Sequence, residues 1–142
     1  MLLRAFVDSE TDQGIARSLL NNKRESLALV SSELLWLESD RAIKRLAKQH
    51  PTLDSLPTWT ALALEPVQMI DLDRQVINAA RAIPEVIKSL DAIHVASAEL
   101  LADAIAFVVT CDRQMAAVLN QRGLVEAVTP TEAVARLRRT ID

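Results

Sequence analysis

The sequence predicts an α/β fold with three layers, in which helices cover both faces of a central parallel sheet. Segments with helical spacing of apolar residues alternate with short unbroken apolar runs, and short connections join them. No low-complexity linker or internal repeat interrupts the pattern. We therefore expect residues 1–142 to form a single domain.

The N-terminal elements are predicted to be a helix over Asp12–Lys23 and a short buried strand over Leu27–Val30. The pair Ser31–Ser32 ends this strand and can cap the next helix. That helix extends from about Ser32 to Gln49 and stops before Pro51. Its spacing places a set of apolar residues on one side, namely Leu35, Trp36, Ala42, Ile43 and Leu46.

The middle of the chain is predicted to hold two helices and one strand. Thr52–Leu64 is helical but is interrupted by Pro57, and Val67–Ile70 is a strand. Asp73–Ile83 is a helix that ends before Pro84.

The C-terminal part contains the clearest helix, Ser89–Ala102, followed by the apolar run Ile105–Thr110, which is typical of a strand buried on both faces. A helix over Asp112–Arg122 follows, and Gly123 closes it. The chain then has a short strand over Val125–Val128. A capping box begins the last helix, with proline in the first helical position.

The composition excludes several classes of protein. A net charge of −3 argues against a surface that is basic throughout, so any nucleic acid must be bound locally. The chain has no Tyr, two Phe and two Trp, too few for the stacking surfaces of single-strand binders. Two glycines cannot supply a dinucleotide fingerprint or a phosphate-binding loop. One cysteine and the lack of a membrane-length apolar run make the cytoplasm the expected location.

Three acidic residues occur where a solvated surface would not need them. Glu38 lies about 40° around its helix from Ala42, at the edge of the apolar side. An ion pair with Arg41 would explain it in structural terms. The functional alternative is a metal ligand beside a basic stripe that binds an RNA backbone, formed by Arg41, Lys44, Arg45 and Lys48.

Asp91 and Asp112 also allow two interpretations. Asp91 shares a helical face with Val95 and Ala98, so its carboxylate should point inward; its structural role would be to stabilise the first helical turn. Asp112 directly follows an apolar run, at the strand end where ligands gather in parallel sheets. Its structural role would be a helix N-cap.

The segments SSELLWLESDRA, SLDAIHVASAELL and AFVVTCDRQMAAVLNQRGL carry these acids, and together they resemble the PIN-domain family from about Ser31 to Pro130. The best-known members are VapC-type toxin ribonucleases of toxin–antitoxin pairs. The resemblance implies that Glu38, Asp91 and Asp112 hold Mg²⁺ or Mn²⁺, ions that prefer oxygen ligands. It also implies that the Thr110 hydroxyl supports the site.

The N-terminus leaves two alignments open. The family normally begins with a strand that ends in an Asp; here MLLRAFVDSETDQGIARSLL resembles the material after that Asp, so the first strand and a fourth acid would be missing. In the alternative, Leu2–Val7 is the strand and Asp8 is the acid. We favour the first alignment.

The predicted function is a Mg²⁺- or Mn²⁺-dependent ribonuclease of the toxin type. The resemblance alone adds a cognate antitoxin protein and a homodimer. An alternative from another class is a catalytically impaired PIN-like module that sequesters antitoxin or RNA without cleavage. A third is a scaffold without a ligand, in which the three acids lie far apart.

Overall fold

The computed structural model describes residues 28–49 and 56–139. The chain divides into two compact units, Met1–Met69 and Ile70–Asp142. The predicted helix over Asp12–Lys23 lies outside the described residues, and so does Asp8.

The described part of the first unit contains β1 (Leu29–Ser32), α1 (Leu34–Gln49) and α2 (Leu56–Leu64). β1 pairs with β2 (Val67–Ile70) in a two-stranded sheet. The bounds of β2 agree with the prediction.

The first strand is displaced from the predicted Leu27–Val30. Ser31 and Ser32 belong to β1 itself, so the prediction that the strand ends at Val30 is wrong, and their capping of the next helix stays a prediction. Ser32 is buried, and a turn at Glu33 separates it from α1. A small serine can occupy a buried strand position, so the change from apolar to polar residues does not mark the end of this strand.

The buried side of α1 is formed by Leu34, Ser39 and Ala42. Trp36 was expected on this side, but 42% of its surface is exposed. Consecutive helical residues are separated by about 100°, so Trp36 falls outside the stripe that contains Leu35 and Ala42.

The second unit contains four helices and two short strands in its described residues. The helices are α3 (Arg74–Arg81), α4 (Ser89–Leu100), α5 (Arg113–Arg122) and α6 (Pro130–Arg139). The strands β3 (Val108–Val109) and β4 (Ala127–Val128) are parallel, with Val108 opposite Ala127 and Val109 opposite Val128. The core of this unit is formed by Val95, Ala98, Val118, Leu119 and Ala127.

The strand predicted over Ile105–Thr110 is reduced to two residues. The backbone N–H groups of Ala104 and Ile105 both donate to the carbonyl of Leu101, at 2.8 and 3.1 Å. This turn at the end of α4 occupies the backbone of the first predicted strand residue. Ile105 still packs against the core, so its apolar character reflects burial in a turn.

Two helix ends and one strand edge are fixed by specific contacts. Gly123 ends α5 with a φ of 69°, a conformation that favours glycine. The predicted capping box is confirmed at α6, where the Thr129 N–H donates to Glu132 at 2.7 Å and the Glu132 N–H donates to the Thr129 hydroxyl at 3.3 Å. The side-chain amide of Asn120 bonds both backbone groups of Ala127, at 2.8 and 3.3 Å.

Candidate functional site

Asp91 lies in the first turn of α4. One of its carboxylate oxygens, Oδ2, is buried, and two residues on the same helical face, Val95 and Ala98, are buried as well. The inward orientation expected from the helical spacing is therefore present. The N-terminal end of a helix carries a partial positive charge, so an acidic residue in the first turn can stabilise the helix.

Asp112 is the N-cap of α5. Its Oδ1 atom accepts hydrogen bonds from the backbone N–H groups of Gln114 and Met115, at 2.8 and 2.9 Å. Both bonds use Oδ1, and Oδ2 has no hydrogen bond to any of the described residues. Asp112 thus has the structural role of a cap, and one oxygen remains for a ligand.

Thr110 holds the backbone of Asp112 in place. Its buried hydroxyl accepts a hydrogen bond from the Asp112 N–H at 3.0 Å, while its own N–H donates to the carbonyl of Val128 at 3.1 Å. The position of Asp112 therefore depends on the pairing of β3 with β4. The support of a metal site that the resemblance implies for Thr110 stays a prediction.

The two aspartates lie at the same end of a pair of packed helices. Near the start of α5, the side chain of Gln114 donates to the carbonyl of Val86, just before α4 begins, at 2.9 Å. At the end of α5, Arg122 contacts Glu99 near the end of α4. Val95 and Val118, which precede Glu99 and Arg122 by four residues each, belong to the same buried cluster, so the packing continues from the two helix ends toward the starts and α4 and α5 run in the same direction. Asp91 and Asp112 are both at the starts.

Glu38 belongs to the first unit and is half-buried in α1, between the buried Ser39 and Ala42 on one side and charged residues on the other. The side chains of Arg41, Arg45 and Lys48 are exposed. The edge position predicted for Glu38 agrees with this environment. Its proximity to the two aspartates stays a prediction.

Within residues 28–49 and 56–139, no group of three or more His, Cys, Asp or Glu side chains is arranged to hold a metal ion. Asp91 and Asp112 lie at the starts of two packed helices of the second unit, and the convergence of their carboxylates stays a prediction. These two residues supply carboxylate oxygens, which is the donor type that Mg²⁺ and Mn²⁺ prefer. Their chemistry fits such an ion, and further ligands are required to complete the site.

One polar cluster was not predicted from the sequence. Arg122 binds both carboxylate oxygens of Glu99, with Nε–Oε1 and Nη2–Oε2 distances of 2.5 and 2.9 Å, and it also contacts Glu85 at 3.2 Å. The Glu99 hydrogen bonds are the main cause of a raised pKa for Arg122. The partners are distant in sequence, so no local pattern could have revealed the cluster.

A family model described as the PIN domain matches residues 1–119. The chain belongs to the PIN-domain family. The match includes the N-terminal stretch, and it ends before β4 and α6, although β4 supplies the partner strand of β3. No curated protein and no solved structure matches the chain.

PIN domains are α/β proteins and are generally nucleases that act on RNA or DNA. They typically use divalent metal ions. The family therefore supports a nuclease, a hydrolase that cleaves phosphodiester bonds. None of the helices in the described ranges has the length and apolarity needed to cross a membrane.

Proposed function

We propose that this PIN domain is a Mg²⁺- or Mn²⁺-dependent ribonuclease, the cytoplasmic toxin of a VapBC-type toxin–antitoxin pair. The observation that carries the proposal is the placement of Asp91, with a buried oxygen, and Asp112, with an unused oxygen, at the same end of α4 and α5. Carboxylates in such an arrangement are costly without a cation. We further propose the three-layer arrangement with a central sheet for the complete domain.

Asp91, Asp112 and Glu38 are the proposed ligands. A bound divalent ion would activate water and stabilise the charge that develops on the scissile phosphate. Thr110 holds the backbone of Asp112, and the first turn of α4 holds Asp91 with one carboxylate oxygen buried. The contribution of the protein is therefore to hold charged oxygens in fixed positions before the ion or the RNA arrives.

The experiment is a cleavage assay on a structured RNA with Mn²⁺, combined with calorimetric titration of Mn²⁺ into the protein without RNA. Asp91→Asn keeps the shape of the side chain and removes its charge, so we expect cleavage and metal binding to be lost. Asp103→Asn is the matched control, since Asp103 is exposed in the turn after the same helix. We expect it to behave as the wild-type protein.

The outcomes separate three functions. Metal-dependent cleavage that is lost in Asp91→Asn and in Glu38→Gln supports the ribonuclease. RNA binding without cleavage by the wild-type protein would favour the impaired binding module. Unchanged Mn²⁺ affinity in Asp91→Asn would mean that Asp91 only stabilises the helix, and it would contradict the proposed metal site.

The RNA backbone is proposed to contact the exposed cations of α1, Arg41, Arg45 and Lys48. Each phosphate contact releases counterions, so affinity for single-stranded RNA should fall with salt with a slope of roughly −0.7 per contact. Arg45→Gln should make that slope shallower. Arg81→Gln, which removes an exposed cation from α3, should leave it unchanged. Equal salt dependence of RNA affinity in both variants would contradict the proposed contact between α1 and RNA.

The partners in this proposal are a cognate antitoxin protein and a second copy of the chain. Support comes from α1, which exposes 42% of Trp36 and 53% of Leu37. Large exposed apolar side chains favour protein contacts. Sedimentation of the isolated chain tests the homodimer, because a monomer at all concentrations would contradict it.

A further inference from the structure

The cluster of Arg122, Glu99 and Glu85 connects α5 to α4 at the end opposite to the two aspartates. Arg122 is the last residue of α5, Glu99 is next to last in α4, and Glu85 lies in the segment before α4. The side chains of all three are mostly shielded from solvent, with 24%, 13% and 20% of their surface exposed. Screening by water is therefore weaker here than for a surface ion pair.

The apolar contacts between the two helices restrict sliding only weakly. The core residues of α4 at this interface are Val95 and Ala98, and small side chains of this kind form a smooth surface. A guanidinium that binds a carboxylate through two parallel hydrogen bonds is strongly directional. The Arg122–Glu99 contact consequently restricts the axial position of α5 along α4 more tightly than these apolar contacts do.

The same axial position determines the spacing between Asp91 and Asp112. Glu99 follows Asp91 by eight residues and Arg122 follows Asp112 by ten, which correspond to about 12 and 15 Å along a helix. The interval from Asp91 to Glu99 lies within α4, and Asp112 is the N-cap directly before α5, so a shift at one end of the pair is transmitted to the other. The separation of the two carboxylates thus depends on a contact that touches neither of them.

We propose that Arg122 is a positioning residue, which holds α5 in axial register with α4 and so fixes the separation of Asp91 and Asp112. This inference rests on the proposed metal-dependent function of those aspartates. Arg122 itself touches neither the metal ion nor the RNA in this proposal.

The test compares Arg122→Gln and Arg122→Lys with Arg136→Gln. The lysine variant keeps the positive charge and loses the two parallel bonds, and it is the milder change if the glutamine variant folds poorly. Arg136 is the matched control because it makes a two-bond contact with Glu126, at 2.5 and 2.6 Å, away from the α4–α5 pair. Circular dichroism first establishes a temperature at which every variant is folded.

We expect Mn²⁺ to bind about tenfold more weakly to both Arg122 variants, as is typical when a supporting contact of a metal site is lost. In the cleavage assay kcat should fall while the KM for RNA stays constant. Arg136→Gln should retain the wild-type Mn²⁺ affinity. Wild-type affinity in both Arg122 variants, or an equal loss in Arg136→Gln, would overturn the proposal.

A measurement without metal keeps this inference separate from the proposed function. The amides of Gln114 and Met115 bond to Asp112 Oδ1, and their hydrogen exchange reports on the start of α5. Exchange should be faster in Arg122→Gln than in the wild type and in Arg136→Gln. Unchanged exchange would overturn the positioning role. A failure of the wild type to bind Mn²⁺, with faster exchange in the variant, would instead contradict the nuclease.

Discussion

Two helices of the second unit each begin after a capping aspartate, and the two aspartates differ in burial and in the contacts that hold them. α3 begins after Asp73, whose Oδ1 accepts one backbone hydrogen bond from Val76 at 2.9 Å, and Asp73 is exposed. α5 begins after Asp112, which accepts two such bonds and is half-buried. The N–H of Asp112 is in turn bound by the hydroxyl of Thr110.

The comparison shows that a capping aspartate is not by itself evidence of function. Both residues satisfy the free N–H groups of a helix start, and both sequences place an acid directly before a helix. Of these two aspartates, only Asp112 is connected through Thr110 to the strands β3 and β4. Only Asp112 lies at the start of a helix packed against α4, whose own start carries Asp91 with a buried carboxylate oxygen. Anchoring of this kind is what a ligand needs and a simple cap does not.

The largest expected difference between the two caps is in catalysis. Asparagine caps a helix about as well as aspartate, so Asp112→Asn and Asp73→Asn should both keep the fold. Asp112→Asn removes a charged ligand and should slow RNA cleavage by roughly 100-fold or more. Asp73→Asn should cleave at the wild-type rate. Rates measured at saturating Mn²⁺ provide the check, and equal rates would make Asp112 only a cap.

The anchor behind Asp112 can be removed separately. Thr110→Val keeps the shape of the side chain and leaves the Asp112 N–H without its acceptor, which should lower the free energy of unfolding by about 1–3 kcal/mol. Cleavage should fall by about tenfold, as for other supporting contacts of metal sites. Thr110→Ser keeps the hydroxyl and should retain most activity. A loss in Thr110→Ser without a loss in Thr110→Val would show that the methyl group, not the hydrogen bond, matters.

Alanine substitutions compare the two caps as purely structural features. Loss of a capping side chain costs about 1 kcal/mol on average and up to about 2 kcal/mol. Asp112→Ala should lie near the upper value because two bonds are lost, and Asp73→Ala near the average. Urea unfolding without metal measures both. A larger decrease in the free energy of unfolding for Asp73→Ala than for Asp112→Ala would contradict the stronger anchoring of α5.

The smallest effect is expected at a third helix start, that of α6. The Thr129 N–H and hydroxyl donate to Glu132 and hold its pKa below the ordinary value for a glutamate. A lowered folded-state pKa adds stability that is present above the unfolded-state pKa and is lost as the pH falls through the folded-state pKa. The stability difference between wild type and Glu132→Gln should therefore shrink from pH 7 to pH 3. A constant difference would contradict the charged capping box.

Local signals in the sequence were sufficient for the parts of the fold that depend on neighbouring residues. The bounds of β2, the glycine that ends α5 and the capping box of α6 were all predicted, because each depends on residues within one or two turns. The strand over Ile105–Thr110 was overestimated for a related reason. Apolar residues indicate burial, and a turn that bonds to Leu101 is buried as readily as a strand.

The candidate site was predictable to the extent that helical spacing controls direction. The inward orientation of Asp91 follows from the face that it shares with Val95 and Ala98. The cap bonds of Asp112 follow from its position before a helix. The contact of Arg122 with Glu99 could not be predicted, since it depends on how two helices separated by a strand pack together. The convergence of Glu38 with the two aspartates remains a prediction.

The amide of Asn120 has a consequence for how this domain behaves in a crowded solution. β3 bonds to the carbonyls of Glu126 and Val128, so the N–H and carbonyl of Ala127 belong to the other edge of β4. Among the described residues, only β3 pairs with β4, and unpaired strand edges can recruit strands from other molecules and lead to aggregation. An asparagine amide has the same donor and acceptor as a peptide group. A foreign strand would have to displace Asn120 before it could pair with Ala127.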